Sequence, residues 1–360
     1  MLIIVKFLFF GGNVLEKCDI AYFAAANSYQ GFISYFNRVF ESEKFDKVFI
    51  LKGGPGTGKS SLMRTLCNKL KPDRYKTELI FCSSDPKSLD GIISSNDKGR
   101  IAILDGTAPH VRDAELPGVI DEIVNLGDNW DERWLISKRQ DILNLSSEKK
   151  NAYKTAYNYL HLAGECDAVV NSIKKANFDA IATKNLAESI LLDYLAPDEE
   201  SNSSMMISSF NRLGDYNLSI PQSLYDKTFN VADKSGLSLI YVAELLREKH
   251  VGITLFPTAK DDRRIDAILL KKAKILIKIG DKPDLDATQF LSLSDIDSER
   301  IRVCREMQRE FLSEAKRWFN IASDIHFELE KIYSMAMDFE KNDDLCEKIY
   351  QKITNIGKKR

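Results

Sequence analysis

A glycine-rich stretch from Gly53 to Ser60 has the residue types and the spacing of a phosphate-binding loop (P-loop). In the pattern Gly-x-x-x-x-Gly-Lys-Ser, the glycines let the backbone curl so that several N–H groups point at one anion. Lys59 then reaches the outer phosphates of a nucleotide, and the Ser60 hydroxyl is a ligand for Mg²⁺. The residues predicted to bind the nucleotide are Gly53, Gly54, Pro55, Gly56, Thr57, Gly58, Lys59, Ser60 and Ser61.

A carboxylate at the end of a second buried strand is required on the metal side of such a loop. Residues 101–104 are apolar and are followed by Asp105. We therefore predict that Ser60 and Asp105 hold Mg²⁺ and that Lys59 and Asp105 are catalytic, with a simple Asp-Gly turn as the alternative. Because Gly106 follows, the adjacent glutamate with which many ATPases activate water is absent.

Further polar candidates follow the apolar strand predicted over residues 79–81 and the strand that ends at Asp105. Asp85 or Asp90 could orient the attacking water, Ser83 or Ser84 could contact a phosphate, and His110 could sense the γ-phosphate. Asp85 and His110 are included among the predicted catalytic residues. The alternative for all of them is loop capping and turn formation.

The elements on either side of the loop fit this chemistry. Residues 48–51 are apolar and rich in residues that favour strands, whereas Leu62, Met63, Leu66 and Leu70 recur at helical spacing. The loop therefore joins a strand to the positive N-terminal end of a helix, where anions bind. The guanine-specific pattern Asn/Thr-Lys-x-Asp does not occur, which favours ATP as the nucleotide.

Composition narrows the remaining classes of function. The 360 residues are 44% hydrophobic and 29% charged with a net charge of −2, so no global positive field favours nucleic acid or an anionic membrane. The six cysteines form no CxxC pair, which argues against a zinc site or a disulfide framework. The apolar start "MLIIVKFLFF" lacks a basic region before it and is too short to span a bilayer. We therefore expect a cytoplasmic protein.

A second, degenerate copy of the loop region is indicated further along the chain. Asp90 and Gly106 recur as Asp266 and Gly280, at offsets of 176 and 174 residues. At an offset of 175, Lys59-Ser60 falls on Lys234-Ser235, while the four glycines of the loop fall on Thr228, Phe229, Val231 and Asp233. When Gly106 is matched with Gly280, at the offset of 174, Asp105 faces Ile279. We therefore expect Lys234 and Ser235 to be relics that bind no nucleotide.

Each copy is followed by a helical arm with a heptad-like apolar seam, which is typical of a coiled coil or a helical hairpin. The two seams repeat at an offset of 166 residues. We expect the arms to pack on each other or on their neighbours, with an exposed partner-binding arm as the alternative. The seam residues are Ala152, Ala156, Tyr159, Ala163, Cys166, Val170 and Ile173 in the first arm and Trp318, Ala322, Ile325, Leu329, Ile332, Ala336 and Phe339 in the second.

The predicted fold class is α/β: a P-loop NTPase fold with a mostly parallel sheet flanked by helices, duplicated, with heptad-patterned helical arms. The predicted divisions are an N-terminal extension (1–21), a P-loop domain (22–135), a helical arm (136–193), a linker (194–204), a degenerate P-loop-like domain (205–290) and a second arm (291–360).

With these motifs in hand, the chain resembles a family of tandem P-loop ATP-binding proteins of low-GC Gram-positive bacteria, which are described only as predicted ATPases. The resemblance rests on "KGGPGTGKSSLM", "CSSDPKSLDG", "AILDGTAPHV", "PGVIDEIVNLGDNWD" and "YFAAANSYQGFISYF", and covers residues 22–135. It implies a cytoplasmic ATP-binding protein and supplies no substrate. Where the family carries a P-loop in the second half as well, this sequence departs from it.

The function predicted from the sequence is that of a Mg-ATP-binding protein with one active nucleotide site and slow or partner-stimulated ATPase activity. A small-molecule kinase and a non-catalytic, nucleotide-gated binding module are the alternatives. An unknown protein partner would bind through the helical arms. No arginine finger is identifiable: Arg112 and Arg133 follow the motifs, and an arginine from a partner is equally open.

Overall fold

The computed structural model describes residues 20–199 and 201–356, which form two sheet–helix units joined by two long helices. The predicted extension, residues 1–21, lies outside the described residues except for its last two, which begin the first strand. The first unit contains β1 (Ile20–Phe23), β2 (Ala25–Ser28), β3 (Gly31–Ser34), α1 (Phe36–Val39), β4 (Lys47–Lys52), α2 (Lys59–Leu70), β5 (Lys76–Phe81), β6 (Leu89–Asn96), β7 (Gly99–Asp105), β8 (Asp121–Asn125) and α3 (Glu132–Ser137).

The first sheet has the strand order β1-β5-β6-β7-β4-β8, and only β6 runs against the other strands. Strand β4 is buried on both faces, as expected for a central strand between helical layers. Phe49 and Leu51 pack toward α2, while Val48 and Ile50 pack on the opposite face with Phe36. The carboxyl ends of β4, β5 and β7 consequently meet at one edge of the sheet.

The long helices and the second unit complete the chain. They are α4 (Arg139–Ala176), α5 (Ala180–Leu191), β9 (Ser203–Ser204), β10 (Ser208–Asn211), β11 (Gly214–Asn217), β12 (Lys227–Ala232), α6 (Ser238–Glu248), β13 (Ile253–Thr258), β14 (Asp261–Leu270), β15 (Ile275–Ile279), β16 (Leu285–Asp286), α7 (Asp295–Met335) and α8 (Phe339–Thr354). Read from its β9 edge, the second sheet has the order β9-β13-β14-β15-β12-β16. Each of these strands occupies the place of its counterpart in the first sheet. The predicted α/β class with mostly parallel sheets and two similar units is confirmed.

The two arms pack on each other, which is one of the two arrangements expected from the sequence, and the structure shows that they run antiparallel. Tyr153 and Tyr157 of α4 contact the Phe319 ring of α7, while Tyr159, further along α4, contacts Phe311, which comes earlier in α7. Alanines at the seam let the helices approach closely, and the fully buried ones are Ala156, Ala163, Ala315 and Ala322.

The predicted seams need three corrections. Leu160 and Phe319 are buried where Tyr159 and Trp318 were expected. Phe339 is not part of α7 at all: it begins α8 and is 46% exposed. The arm offset is also wrong by one heptad, because α4 and α7 end at Ala176 and Met335, which are 159 rather than 166 residues apart. A heptad pattern looks the same after a shift of seven residues, so only the helix ends fix the offset.

Each arm continues into a short helix that packs on the other unit. Helix α5 contributes Ala187 and Leu191 to the core of the second unit, against α6. Helix α8 contributes Cys346, Ile349 and Ile353 to the core of the first unit, against α2. The assignment of these segments to the arms, 136–193 and 291–360, therefore changes: α5 and α8 are core helices of the opposite units.

Two hairpins, which the sequence did not indicate, hold the units together near the middle of the arms. Hairpin β2–β3 lies against the second unit, where the Tyr29 N–H donates to the Lys260 carbonyl at 2.9 Å. Hairpin β10–β11 lies against the first unit, where the Ser209 hydroxyl donates to the Ser83 carbonyl at 2.5 Å. Within the described residues, no helix is long and apolar enough to cross a membrane.

Candidate functional site

The glycine-rich loop lies where the sequence predicted, between the end of β4 at Lys52 and the start of α2 at Lys59. Gly56 and Gly58 have φ values of +69° and +83°, a region that residues with a Cβ rarely adopt. The Thr57 hydroxyl donates to the Gly54 carbonyl at 2.9 Å and closes the turn. The loop thus bends back over the N-terminus of α2, where the orphan N–H groups and the helix dipole favour an anion.

Lys59 and Asp105 are brought together at the mouth of this loop. The Lys59 ammonium lies 3.6 Å from Asp105 Oδ2 and donates to the carbonyls of Gly53 and Gly54 at 2.8 Å each. Both side chains are largely buried, with exposed fractions of 10% and 18%. The Lys59 cation is therefore held by two neutral carbonyls and lies near one carboxylate at the mouth of the glycine loop.

Asp105 occupies the strand end that was predicted for a metal-side carboxylate. Strand β7 pairs with β4 in parallel, and Asp105 stands opposite Leu51, one residue before β4 ends. Its Oδ1 accepts from the Thr107 N–H at 2.9 Å and from the Thr107 hydroxyl at 2.5 Å. Its Oδ2 is the oxygen near Lys59, so the carboxylate is oriented by one oxygen and presents the other to the site.

Ser60 lies in the first turn of α2, and its Oγ accepts from the Leu89 N–H at 3.0 Å. A hydroxyl oxygen with one accepted bond keeps a second lone pair for a cation. Among residues 20–199 and 201–356, no three or more His, Cys, Asp or Glu side chains are arranged to hold a metal. Ser60 and Asp105 fit the sparser donor set of Mg²⁺, which commonly takes one or two protein oxygens, phosphate oxygens and water.

Asp90 and His110 form a buried pair beside this edge. Asp90 is the extra residue of a β-bulge, because Ile80 pairs with Gly91 and Phe81 with Leu89. Asp90 Oδ2 lies 3.0 Å from His110 Nε2, and the His110 ring stacks on Phe36 with centroids 4.1 Å apart. The sequence suggested a phosphate-sensing His110; the structure instead gives it a carboxylate partner and an aromatic neighbour.

The remaining candidates are Asp85, which lies in a turn, Ser83, whose buried hydroxyl has no hydrogen-bond partner among the described residues, and Ser84, which lies near α4. Asp85 Oδ1 accepts from the Lys87 N–H at 3.2 Å, which is the turn-capping alternative. Ser83 is 1% exposed and lies under hairpin β10–β11, so it is not placed to contact a phosphate at the loop. Ser84 lies near the Tyr153 side chain of α4.

The C-terminal helices contact the loop, which the sequence did not indicate. A Cβ on Gly56 would lie 2.4 Å from the Glu330 carbonyl oxygen, and one on Gly54 would lie 3.1 Å from the Tyr333 ring. The buried Asn342 side chain on α8 donates to the Thr57 carbonyl at 2.9 Å. Since Thr57 and Asn342 are 285 residues apart in the chain, no local pattern could have identified this contact.

The equivalent loop of the second unit carries its own anion. Asp233 follows β12, and its carboxylate accepts from the N–H groups of Ser235 and Ser238 at 2.6 and 2.9 Å. Helix α6 begins at Ser238, so Ser238 stands where Lys59 stands in the first unit. The predicted alignment of Lys59-Ser60 with Lys234-Ser235 is therefore wrong: the second loop is one residue shorter, and Lys234 lies within it.

Other parts of the predicted comparison between the two copies are correct. Ile279 pairs with Val231 as Asp105 pairs with Leu51, so an apolar side chain replaces the metal-side carboxylate. Asp266 is the extra residue of a bulge in β14, as Asp90 is in β6.

A charged cavity of about 270 Å³ lies at this edge of the second unit, between β14, α4 and α7. The Arg264 guanidinium lies against Gly236 and 3.3 Å from Asp167 of α4. Asp167 also pairs with Arg305 of α7 at 2.6 Å. Burial raises the Asp167 pKa, but Arg264 and Arg305 outweigh burial and hold this pKa below its usual value. The cavity is thus built around charges that the chain itself supplies.

Comparison of the chain with protein-family models, with curated proteins and with solved structures finds no match.

Proposed function

We propose that the first unit is a P-loop nucleotide-binding domain that binds Mg·ATP and hydrolyses it slowly or on stimulation by a partner. The observation that carries the proposal is the approach of Lys59 and Asp105 at the mouth of a glycine loop that opens a helix. The resemblance to tandem P-loop proteins supports the same interpretation. Preference for ATP rests on the absent guanine pattern.

The chain's own groups account for binding and charge neutralisation. The N–H groups of the loop and the α2 terminus hold the phosphates, and Lys59 exchanges its carbonyl contacts for phosphate oxygens. Ser60 and Asp105 would hold Mg²⁺, which would supply charge neutralisation at the outer phosphates. Phosphoryl transfer depends mainly on such positioning and charge stabilisation.

A nucleotide-gated binding module is a second candidate, because α7 and α8 contact the glycine loop directly. A loop that changes shape on binding would change these contacts and so move the helical arms. Tight ATP binding with negligible turnover would favour this candidate over the ATPase.

Calorimetric titration with Mg·ATP tests the proposal. We expect one site per chain and a loss of affinity in Lys59→Ala of about 10- to 100-fold or more, the worth of a charge-assisted contact. Lys234→Ala is the matched control and should bind as the wild type does. Unchanged affinity in Lys59→Ala would refute the P-loop assignment, and a second site lost in Lys234→Ala would refute the single-site assignment.

A further inference from the structure

The long helices α4 and α7 lie over the carboxyl edge of the first sheet. On α7, the Glu330 carbonyl lies against Gly56 of the glycine loop. On α4, Tyr153 lies near Ser84 in the loop that joins β5 to β6. The two helices therefore lie over both the glycine loop and the β5–β6 connection, which are joined where the Ser60 hydroxyl accepts from the Leu89 N–H.

Lys149 lies in the part of α4 that covers this edge of the sheet. It precedes Tyr153 by one turn of α4, and its Nζ is 3.5 Å from His326 Nδ1 on α7. His326 in turn precedes Glu330 by one turn, and its Nε2 is 3.5 Å from the Glu330 carboxylate. Lys149 therefore lies between two points at which the arms meet the first unit, Glu330 at Gly56 and Tyr153 near Ser84.

The surroundings of Lys149 leave its ammonium group available to a negatively charged partner. The side chain is partly buried, and no carboxylate in the described part of the chain forms an ion pair with it. Burial lowers the Lys149 pKa, and the nearby Glu330 opposes this shift. A partly desolvated ammonium gains more from an incoming phosphate than an exposed one does.

The second unit supplies an internal comparison. With the arm offset of 159 residues, Gln308 stands where Lys149 stands and Asp167 stands where His326 stands. Gln308 Nε2 contacts Asp167 Oδ1 at 3.2 Å, as Lys149 contacts His326. At this position the arm near the glycine loop has the cation of Lys149, whereas the arm near the Asp233 loop has the neutral amide of Gln308.

We propose that Lys149 is a built-in cation that faces the terminal phosphate of the bound nucleoside triphosphate, in the role for which other phosphoryl-transfer sites use an arginine finger. The assignment rests on the proposed function of the glycine loop. It also makes the helical arms part of the site, because Lys149 reaches the phosphate only while α4 and α7 remain packed over the first unit.

The test compares ATP with ADP, since only ATP carries the terminal phosphate. Magnesium-dependent affinities for both are measured by calorimetry on the full chain and on Lys149→Gln, which copies Gln308. We expect the ratio of ATP affinity to ADP affinity to fall about tenfold, the worth of one charge-assisted contact. Lys149→Arg should keep most of the ratio. The matched control, Lys154→Gln, removes an exposed lysine of the same helix and should leave the ratio unchanged.

An unchanged ratio in Lys149→Gln overturns the assignment, whatever happens to the two affinities separately, because a purely structural role would weaken ATP and ADP alike. This failure differs from a failure of the proposed function, in which the wild type itself binds no ATP and both proposals are lost.

Discussion

At the residue scale, the same helix-terminus chemistry is used in opposite ways by the two units. In the first unit a lysine and a set of backbone N–H groups surround the start of α2, and the nearest carboxylate is turned by Thr107 so that one oxygen remains for the site. In the second unit the carboxylate of Asp233 itself accepts from the N–H of Ser238, the first residue of α6, and from the N–H of Ser235 in the preceding loop. One terminus is suited to an external anion, and the other is already satisfied.

Asp105→Asn tests the metal-side role at this scale. Asparagine keeps the shape of the side chain and an oxygen for Thr107 but removes the charge near Lys59. We expect magnesium-dependent ATP affinity to fall by about 10- to 100-fold, as for an outer-sphere metal partner, and magnesium-free nucleotide binding to change little. Titrations with and without Mg²⁺ measure both.

Asp113→Asn is the control, because this nearby acid is 82% exposed. An equal fall with and without magnesium would show that Asp105 has a structural role instead.

At the element scale, Asp233 stabilises the start of α6, because its carboxylate accepts from the N–H of the first helical residue, Ser238. Its two bonds to backbone N–H groups and one to the Ser235 hydroxyl place a negative charge at the positive end of the helix. The second loop is thus held by a side chain where the first has a run of glycines, and it keeps one glycine, Gly236, with a φ of +75°.

Asp233→Ala should therefore lower the free energy of unfolding by about 1 to 2 kcal/mol, the cost of losing a strong N-terminal cap. Urea unfolding measures this, with Asp226→Ala as the control, since Asp226 is 76% exposed and lies before β12. ATP affinity should not change in either variant. A fall in ATP affinity comparable to that of Lys59→Ala would contradict the assignment and indicate a nucleotide at the second loop.

At the scale of the whole molecule, the two units exchange helices. The end of each arm also contacts the loop of the opposite unit: Tyr333 of α7 lies on Gly54, and Lys174 of α4 donates to the carbonyls of Lys234 and Ser235 at 2.7 and 3.1 Å. The core of each unit includes a helix that follows the arm of the other unit: α8 in the first unit and α5 in the second. The site in the first unit therefore depends on residues near the C-terminal end of the described chain.

Ile349→Asp tests this dependence. Ile349 of α8 is 2% exposed in the core of the first unit, and a carboxylate without a partner there costs several kcal/mol. We expect a lower melting temperature and weaker ATP binding, although the substitution lies far along the chain from Lys59. Lys348→Asp, at the exposed neighbouring position, is the control for the added charge. Wild-type stability and affinity in Ile349→Asp would show that α8 is not needed for the first unit.

Local patterns determined much of the first unit. The glycine loop, the helix that begins at Lys59 and the strand end at Asp105 were predictable because strand and helix periodicities and turn residues act over a few neighbouring positions. The order of the degenerate copy was also predictable, including Ile279 opposite the position of Asp105, because strand order repeats where the pattern of apolar segments repeats.

Tertiary structure alone decided what joins these pieces. The pairing of Asp90 with His110, the start of α6 at Ser238, the offset of the arms and the exchange of α5 and α8 all depend on contacts between segments that are far apart in the chain. A heptad pattern carries no information about which turn of a helix meets which partner, and an ungapped comparison cannot detect one residue missing from a loop. Packing fixes both, because only one arrangement buries the seam of the arms and both sheet cores at the same time.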